Sequence, residues 1–198
     1  METSSSAIRI RLATTKDIPS LTHLIADSVR QLSVKYYSSV QIESALRNVF
    51  GVDTQLILDQ TYFVAEAEGQ IVGCGGWSKR NTLFGGDQVK DPTKLRDADA
   101  LLVPGRDPAR LRAFYVHPHW SRKGIGRQIT QACESAALQA GFTRAELIAT
   151  LPGQPLYAAN GYEVVCPFQI PLPGDLSLPA FRMAKDLALK TPFATGLT

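Results

Sequence analysis

Between Val116 and Tyr162 the chain concentrates residue types that can bind an anion and move a proton. Ser121-Arg-Lys-Gly-Ile-Gly-Arg127 sets two glycines among three cations, directly before a segment of helical periodicity. The first amides of a helix lack internal partners and sit at the positive end of its dipole. Gly124 and Gly126 let a phosphate reach those amides with no Cβ in the way. Arg122, Lys123 and Arg127 add charge at the same place, so the ligand such a turn suits carries phosphates. The same composition also suits a plain strand-to-helix turn with solvated cations. Ile129 stands where a dinucleotide fingerprint has its third glycine, and the Gly-Lys-Ser/Thr of a P-loop is absent. Both count against a nucleotide site. Cys74, Cys133 and Cys166 are odd in number and widely spaced, without a CxxC pair. They read as buried thiols in a reducing compartment, and no metal site is expected.

The elements that must position these residues follow from periodicity. Ile8–Leu12 alternates like a strand. Thr14 and Asp17 form a capping box before Ile18, Leu21, Ile25, Val29 and Leu32, which recur at helical spacing. A second helix starts near Ser38, with Gln41 three residues on, and carries Ile42, Ala45, Leu46 and Val49 up to Gly51. Thr61–Ala67 and Gln70–Trp77 read as a hairpin turning at Glu68-Gly69. Residues 81–107, rich in Gly, Asp and Pro, read as a long surface insertion. Leu111–Val116 is a strand stopped by His117-Pro118. The helix after the glycine turn presents Ile125, Ile129, Ala132, Cys133, Ala136, Ala137 and Ala140 inward, and Gly141 ends it. Ala145–Thr150 is a strand, Gln154–Asn160 a short helix stopped by Gly161, and Tyr162–Cys166 and Ala180–Lys185 are closing strands.

This order predicts an α/β (α+β) chain, with no internal repeat. A flexible start at 1–6, one domain at 7–187 and a tail at 188–198 are the expected divisions. At 198 residues the chain is long enough to bury a core of useful size. No apolar run reaches membrane-spanning length. Met1–Ser6 lacks the apolar core of a secretory signal, so a cytoplasmic protein is expected. A net charge of +3 is too mild to imply nucleic acid. The cations Arg110, Arg112, Arg122, Lys123 and Arg127 are expected to crowd one strand–turn–helix.

Val116-His-Pro-His-Trp-Ser-Arg-Lys-Gly-Ile-Gly-Arg-Gln-Ile129 resembles the acetyl-coenzyme A motif of the GCN5-related N-acetyltransferases (GNAT). That motif reads Gln/Arg-x-x-Gly-x-Gly/Ala after a strand ending in Val-x-Pro. Pro155-Leu-Tyr-Ala-Ala-Asn-Gly-Tyr162 resembles the family's second signature, at the family's usual separation. The element order matches from Ile8 to about Lys185. Ser121 departs from the pattern, standing where Gln or Arg is usual, and Thr150 stands where many members have Asn.

The resemblance implies a mixed, mostly antiparallel sheet flanked by helices, with strands four and five splayed. It implies acetyl-coenzyme A as acyl donor and a small-molecule or peptide amine as acceptor, with no nucleic acid or membrane partner. A homodimer is compatible with it. The donor's pyrophosphate would lie on Arg122, Lys123, Gly124, Ile125, Gly126 and Arg127. Its pantetheine arm would pair with Phe114, Tyr115 and Val116, and Thr150 would border it. A backbone amide at Tyr115 or Val116 would polarise the thioester carbonyl. Tyr157 would act as general acid toward the departing thiolate. Glu66, Glu146, His117 and His119 are candidate bases by chemistry. The acceptor would approach beside the first two helices and the 81–107 insertion, where Asp87, Asp91, Asp97 and Asp99 could attract a cationic amine. A non-catalytic coenzyme A-binding module of the same fold is the alternative.

Overall fold

The computed structural model describes residues 7–89 and 100–187. The expected start at 1–6, the tail at 188–198 and the middle of the insertion, with Asp91, Asp97 and Asp99, lie outside the described residues.

The chain forms β1 (Arg9–Leu12), α1 (Ile18–Leu32), α2 (Ser39–Asn48), α3 (Thr54–Leu58), β2 (Tyr62–Ala67), β3 (Gln70–Ser78) and β4 (Ala109–Val116). Then follow α4 (Ile125–Gln139), β5 (Arg144–Thr150), α5 (Gln154–Ala159), β6 (Glu163–Pro171) and β7 (Ser177–Asp186). A 3₁₀ turn at Thr15–Asp17, with the Thr14 capping box, leads into α1. Ser38 caps α2, accepting from the Gln41 amide.

The seven strands form one sheet in the order β1-β2-β3-β4-β5-β7-β6. All neighbours are antiparallel except β4 and β5, whose parallel pairing is confined to Ala109–Ala145 and Arg110–Glu146. Beyond that point the two strands part, which is the expected splay. Alternating side chains send apolar groups to both faces of the sheet. On one face Leu21, Leu24, Ile25 and Val29 of α1 pack with Ile42 and Ala45 of α2, Leu56 of α3 and Ile170 of β6. On the other, Ile125, Ile129, Cys133 and Ala137 of α4 pack with Leu111, Leu147 and Tyr157. α4 lies close because β3 carries glycine there: a Cβ on Gly73 would come within 2.6 Å of Ile125.

Several elements differ from expectation. α3 is too short for apolar periodicity to reveal, and the Asp53 carboxylate caps it by accepting from the Leu56 amide. The last hairpin extends well beyond Cys166 because β6 is an edge strand, where proline is tolerated. Pro179 of β7 lies one residue beyond the last β5 pairing, Thr150–Ala180, so its missing N–H breaks no bond to β5. The first part of the insertion is not a free surface loop. The Gly86 and Asp87 amides donate to the Val49 and Val52 carbonyls at 2.9 and 3.0 Å, and the Phe84 ring meets Phe168 edge-on. On α4, Thr130 rather than Ala140 faces inward, because a hydroxyl bonded to the Gly126 carbonyl is buried at little cost.

Candidate active site

β4 ends at Val116, and a 3₁₀ turn at Pro118–Trp120 delivers the chain to the glycine turn. Arg122 takes a positive φ of 62°, and Gly124, the N-cap of α4, takes 83°. The second value is where glycine is favoured over any residue with a side chain. The first helical bond runs from the Gln128 amide to the Gly124 carbonyl at 3.0 Å. The amides of Ile125, Gly126 and Arg127 therefore precede the ladder and are open to an anion. The Arg122, Lys123 and Arg127 side chains are exposed, and none forms an ion pair among the described residues. Lys123 Nζ sits 4.6 Å from the Trp120 ring centre. A Cβ on Gly126 would fall 2.9 Å from Leu156 of α5, so this glycine also lets α5 close over the helix start.

The splay opens beside this turn. A bulge in β4 opposite Cys74 and Gly76 gives Ala113 a positive φ of 59°. The Tyr62 hydroxyl holds the bulge by donating to the Ala113 carbonyl at 3.1 Å. Phe114 turns toward α4, and a Cβ on Gly75 would collide with its ring. The Val116 amide donates to Ser28 Oγ on α1 at 3.3 Å. Thr150, half-buried, closes β5. The next amide, Leu151, donates to the Tyr37 hydroxyl at 2.8 Å, while that hydroxyl donates to the Pro179 carbonyl at 2.8 Å. The strand ends are thereby tied to the segment between α1 and α2.

Tyr157, on α5, is buried, with its ring edge-on to Phe114 and Tyr162, each at 5.8 Å. Its hydroxyl has no hydrogen-bond partner among the described residues. Burial pushes the phenol pKa up, so the group keeps its proton at neutral pH. On the opposite face a cleft of about 320 Å³ runs between α1 and α2, lined by Ala26, Arg30, Glu43, Arg47 and Phe50. Phe50 meets Tyr115 of β4 edge-on.

Other candidates lie elsewhere. Arg110 and Arg112 do not join the turn's cations, because β4 runs away from them before the turn begins. Arg110 bonds Glu146 on β5, which Arg182 bonds from the other side. Arg112 Nε bonds Asp53 at 2.7 Å, with the two side chains 4% and 3% exposed. Glu146 is thus committed as a structural carboxylate, as is Glu66, which bonds Arg11 at 2.6 Å. His117 caps the 3₁₀ turn, accepting from the His119 amide at 3.3 Å, and the two rings meet edge-on. Asp87 accepts from the amide and hydroxyl of Thr54. Burial pushes the Cys74 thiol up to about 12 and raises that of Cys133, so both are poor nucleophiles. No cluster of His, Cys, Asp and Glu among the described residues could hold a metal. Among them, no helix is long and apolar enough to cross a membrane. Sequence reasoning missed Ser28 and Tyr37, whose roles arise from contacts between distant segments.

An open strand edge, a set of free helix amides and a buried phenol at one end of a splayed sheet define an acyl-coenzyme A transferase fold. The family model described as "Acetyltransferase (GNAT) domain" matches residues 59–164. The chain belongs to the GNAT acetyltransferase family, and is an acetyl-coenzyme A-dependent enzyme of that class. Solved structures agree on the fold. A GCN5-related N-acetyltransferase from Rhodopseudomonas palustris is similar at 20% identity, covering 94% of this chain and 98% of its own, with a TM-score of 0.61. PaiA N-acetyltransferase from Thermoplasma acidophilum, in complex with coenzyme A, is similar at 17% identity, covering 91% and 99%, with a TM-score of 0.60. The ribosomal-protein-S18-alanine N-acetyltransferase from Escherichia coli is similar at 16% identity, covering 94% and 98%, with a TM-score of 0.55. No curated protein sequence matches the chain significantly.

Proposed function

We propose that the protein transfers the acetyl group of acetyl-coenzyme A to a primary amine by direct attack, with Tyr157 as general acid. The observation that carries this reading is the convergence, at the open end of β4, of free α4 amides, an unpaired strand edge and the protonated Tyr157 hydroxyl. The Ile125, Gly126 and Arg127 amides, with the nearby cations, suit the donor's pyrophosphate. The β4 edge from Phe114 to Val116 suits its amide-bearing arm, which pairs like a strand where β5 has departed. Thr150 borders that gap from β5. Gly73 lets α4 approach β3, Gly75 leaves room for the Phe114 ring, and Leu156 packs on Gly126 at the helix start.

A lysine-like amine has a pKa of about 10.4 and must lose a proton before attack. Glu66 and Glu146 are consumed by arginines, so neither supports a role as base. Release of the amine's proton to water fits better. The amine would approach along the α1–α2 cleft, toward Tyr115. A thiol-release assay with acetyl-coenzyme A across a panel of amines tests the proposal. Amine-dependent release is expected; tight binding of acetyl-coenzyme A with no release for any amine would instead identify a binding module.

A further inference from the structure

Tyr37 lies in the connection between α1 and α2, outside both motifs that carry the family resemblance. It is buried in the core, 6% exposed. The connection is itself held in place. The Tyr36 and Tyr37 amides donate to the Ser33 carbonyl at 2.9 and 3.0 Å, and Gln41 Nε2 donates to the Ser177 carbonyl of β7 at 2.7 Å. The last pairing of β5 with β7 is Thr150–Ala180, so Leu151 and Pro179 would form the next rung. The Tyr37 hydroxyl occupies that rung: it accepts from the Leu151 amide and donates to the Pro179 carbonyl, each at 2.8 Å. Burial pushes the phenol pKa up, so the hydroxyl keeps the proton it donates. Leu151 opens the turn from β5 into α5, which the Gly153 amide closes on the Thr150 carbonyl at 2.9 Å. The Tyr157 ring rests on this turn: a Cβ on Gly153 would lie 3.5 Å from Tyr157 Cε2 and 3.2 Å from Thr150 Oγ1.

We propose that Tyr37 is a positioning residue for the general acid: its hydroxyl fixes the Leu151 amide and, through the turn that follows, the direction of the Tyr157 hydroxyl. This rests on the reading of Tyr157 as acid in an acetyltransferase and adds a residue to it. The Tyr157 hydroxyl has no hydrogen-bond partner among the described residues, so ring packing alone sets where it points. Phe114 and Tyr162 meet the ring edge-on, and the Gly153 turn underlies it. The Leu151 amide lies beyond the last β5 pairing, and Tyr37 supplies the hydrogen bond it makes among the described residues. A partly buried amide that loses its partner shifts toward water, and the turn shifts with it. As the C–S bond breaks, sulfur leaves with the bonding pair and takes the Tyr157 proton. A displacement of about 1 Å in the hydroxyl that gives this proton costs up to about a hundredfold in rate. Donor binding uses the α4 amides and the β4 edge, neither of which Tyr37 touches through this bond.

The test is a double-mutant cycle in the thiol-release assay, with an amine that supports release, on Tyr37→Phe, Tyr157→Phe and the double variant. Phenylalanine keeps the buried ring at position 37 and removes only the hydroxyl, and circular dichroism checks that each variant is folded. Tyr37→Phe should lower kcat about tenfold, while its Kd for coenzyme A stays within about twofold. In the Tyr157→Phe background the same change should lower kcat by no more than about twofold, because the acid it positions is gone. A merely structural role would carry the loss of about tenfold into the double variant, and that additivity overturns the proposal. So does an unchanged kcat in Tyr37→Phe while Tyr157→Phe is impaired. Hydrogen exchange on the wild type gives an independent check. The Leu151 amide should be protected although no strand pairs with it, and exchange at the rate of a free amide overturns the proposal. Unchanged turnover in Tyr157→Phe, or no release from the wild type with any amine, overturns the underlying reading and this inference with it. Both are distinct from additivity, which leaves Tyr157 in its role.

Discussion

The two ends of the β4–β5 seam carry opposite kinds of polar chemistry. At the paired end the charges are matched: Arg110 and the partly exposed Arg182 on Glu146, with buried Arg112 just beyond on Asp53. At the open end the polar groups are unmatched: the α4 amides and the Tyr157 hydroxyl, flanked by exposed Arg122, Lys123 and Arg127. A protein interior satisfies its polar groups wherever it can. The unmatched groups at the open end suit a ligand that completes the set, whereas at the paired end only Arg110 Nε is left over among the described buried side-chain atoms of Arg110, Arg112, Glu146 and Asp53. The paired end locks the strands together so that the other end can stay apart.

Substitutions at the paired end should cost stability. Removing one member of a buried ion pair strands the other, at about 3–5 kcal/mol. Asp53→Ala should accordingly lower Tm by roughly 10 °C in a chain of this size. Calorimetry checks this; an unchanged Tm would mean the Arg112–Asp53 pair contributes no stability. Asp53→Ala should also leave coenzyme A affinity per folded molecule nearly intact.

At the open end the largest kinetic effect is expected from Tyr157→Phe, which should lower kcat about a hundredfold with little change in the Kd of coenzyme A. Equal turnover would remove Tyr157 from the reaction. Because burial raises its pKa, Tyr157 stays protonated as the acceptor amine deprotonates. The wild-type rate should therefore climb with pH toward the amine's pKa, with no descending limb below about pH 10. A fall in rate between pH 7 and 9 would point to a different acid.

The smallest effect belongs to a site remote from both ends. Arg11, bonded at 2.8 Å, holds the Asp17 carboxyl down to about 2. A depressed carboxylate pKa gives stability that is present above the ordinary carboxylate range and lost as pH falls toward 2. Asp17→Asn should cost about 1–2 kcal/mol at neutral pH and only a small fraction of that at pH 2. Equal costs at both values would mean that the ion pair contributes nothing.

The open end was largely legible in the sequence, because glycines, cations and a helix start in one short segment have few physical uses. Phe114, Val116 and Tyr157 were reachable only through the family pattern, since a strand edge leaves no mark in its own residues. The paired end was misread. Arg110 and Arg112 looked like part of a cationic surface, yet their partners lie 36 residues ahead, at Glu146, and 59 residues behind, at Asp53. Spacing along a chain carries no trace of such pairs. Ser28 was invisible for the same reason: a serine on the buried face of an amphipathic helix reads as packing until β4 is laid against it. The insertion was misread where buried Gly86 fits against the Gly51 and Val52 carbonyls, a close approach that local composition does not announce.

The most direct measurement is a calorimetric titration of acetyl-coenzyme A into the wild type and Gly126→Glu. The carboxylate would project toward Leu156 and into the amide cluster at the start of α4, repelling a phosphate there. Saturable binding to the wild type, weakened at least about tenfold in Gly126→Glu with the fold intact by circular dichroism, is the expected result. Equal affinity in the two proteins, or no binding to the wild type at millimolar ligand, would contradict the assignment of the open end as the acetyl-coenzyme A site.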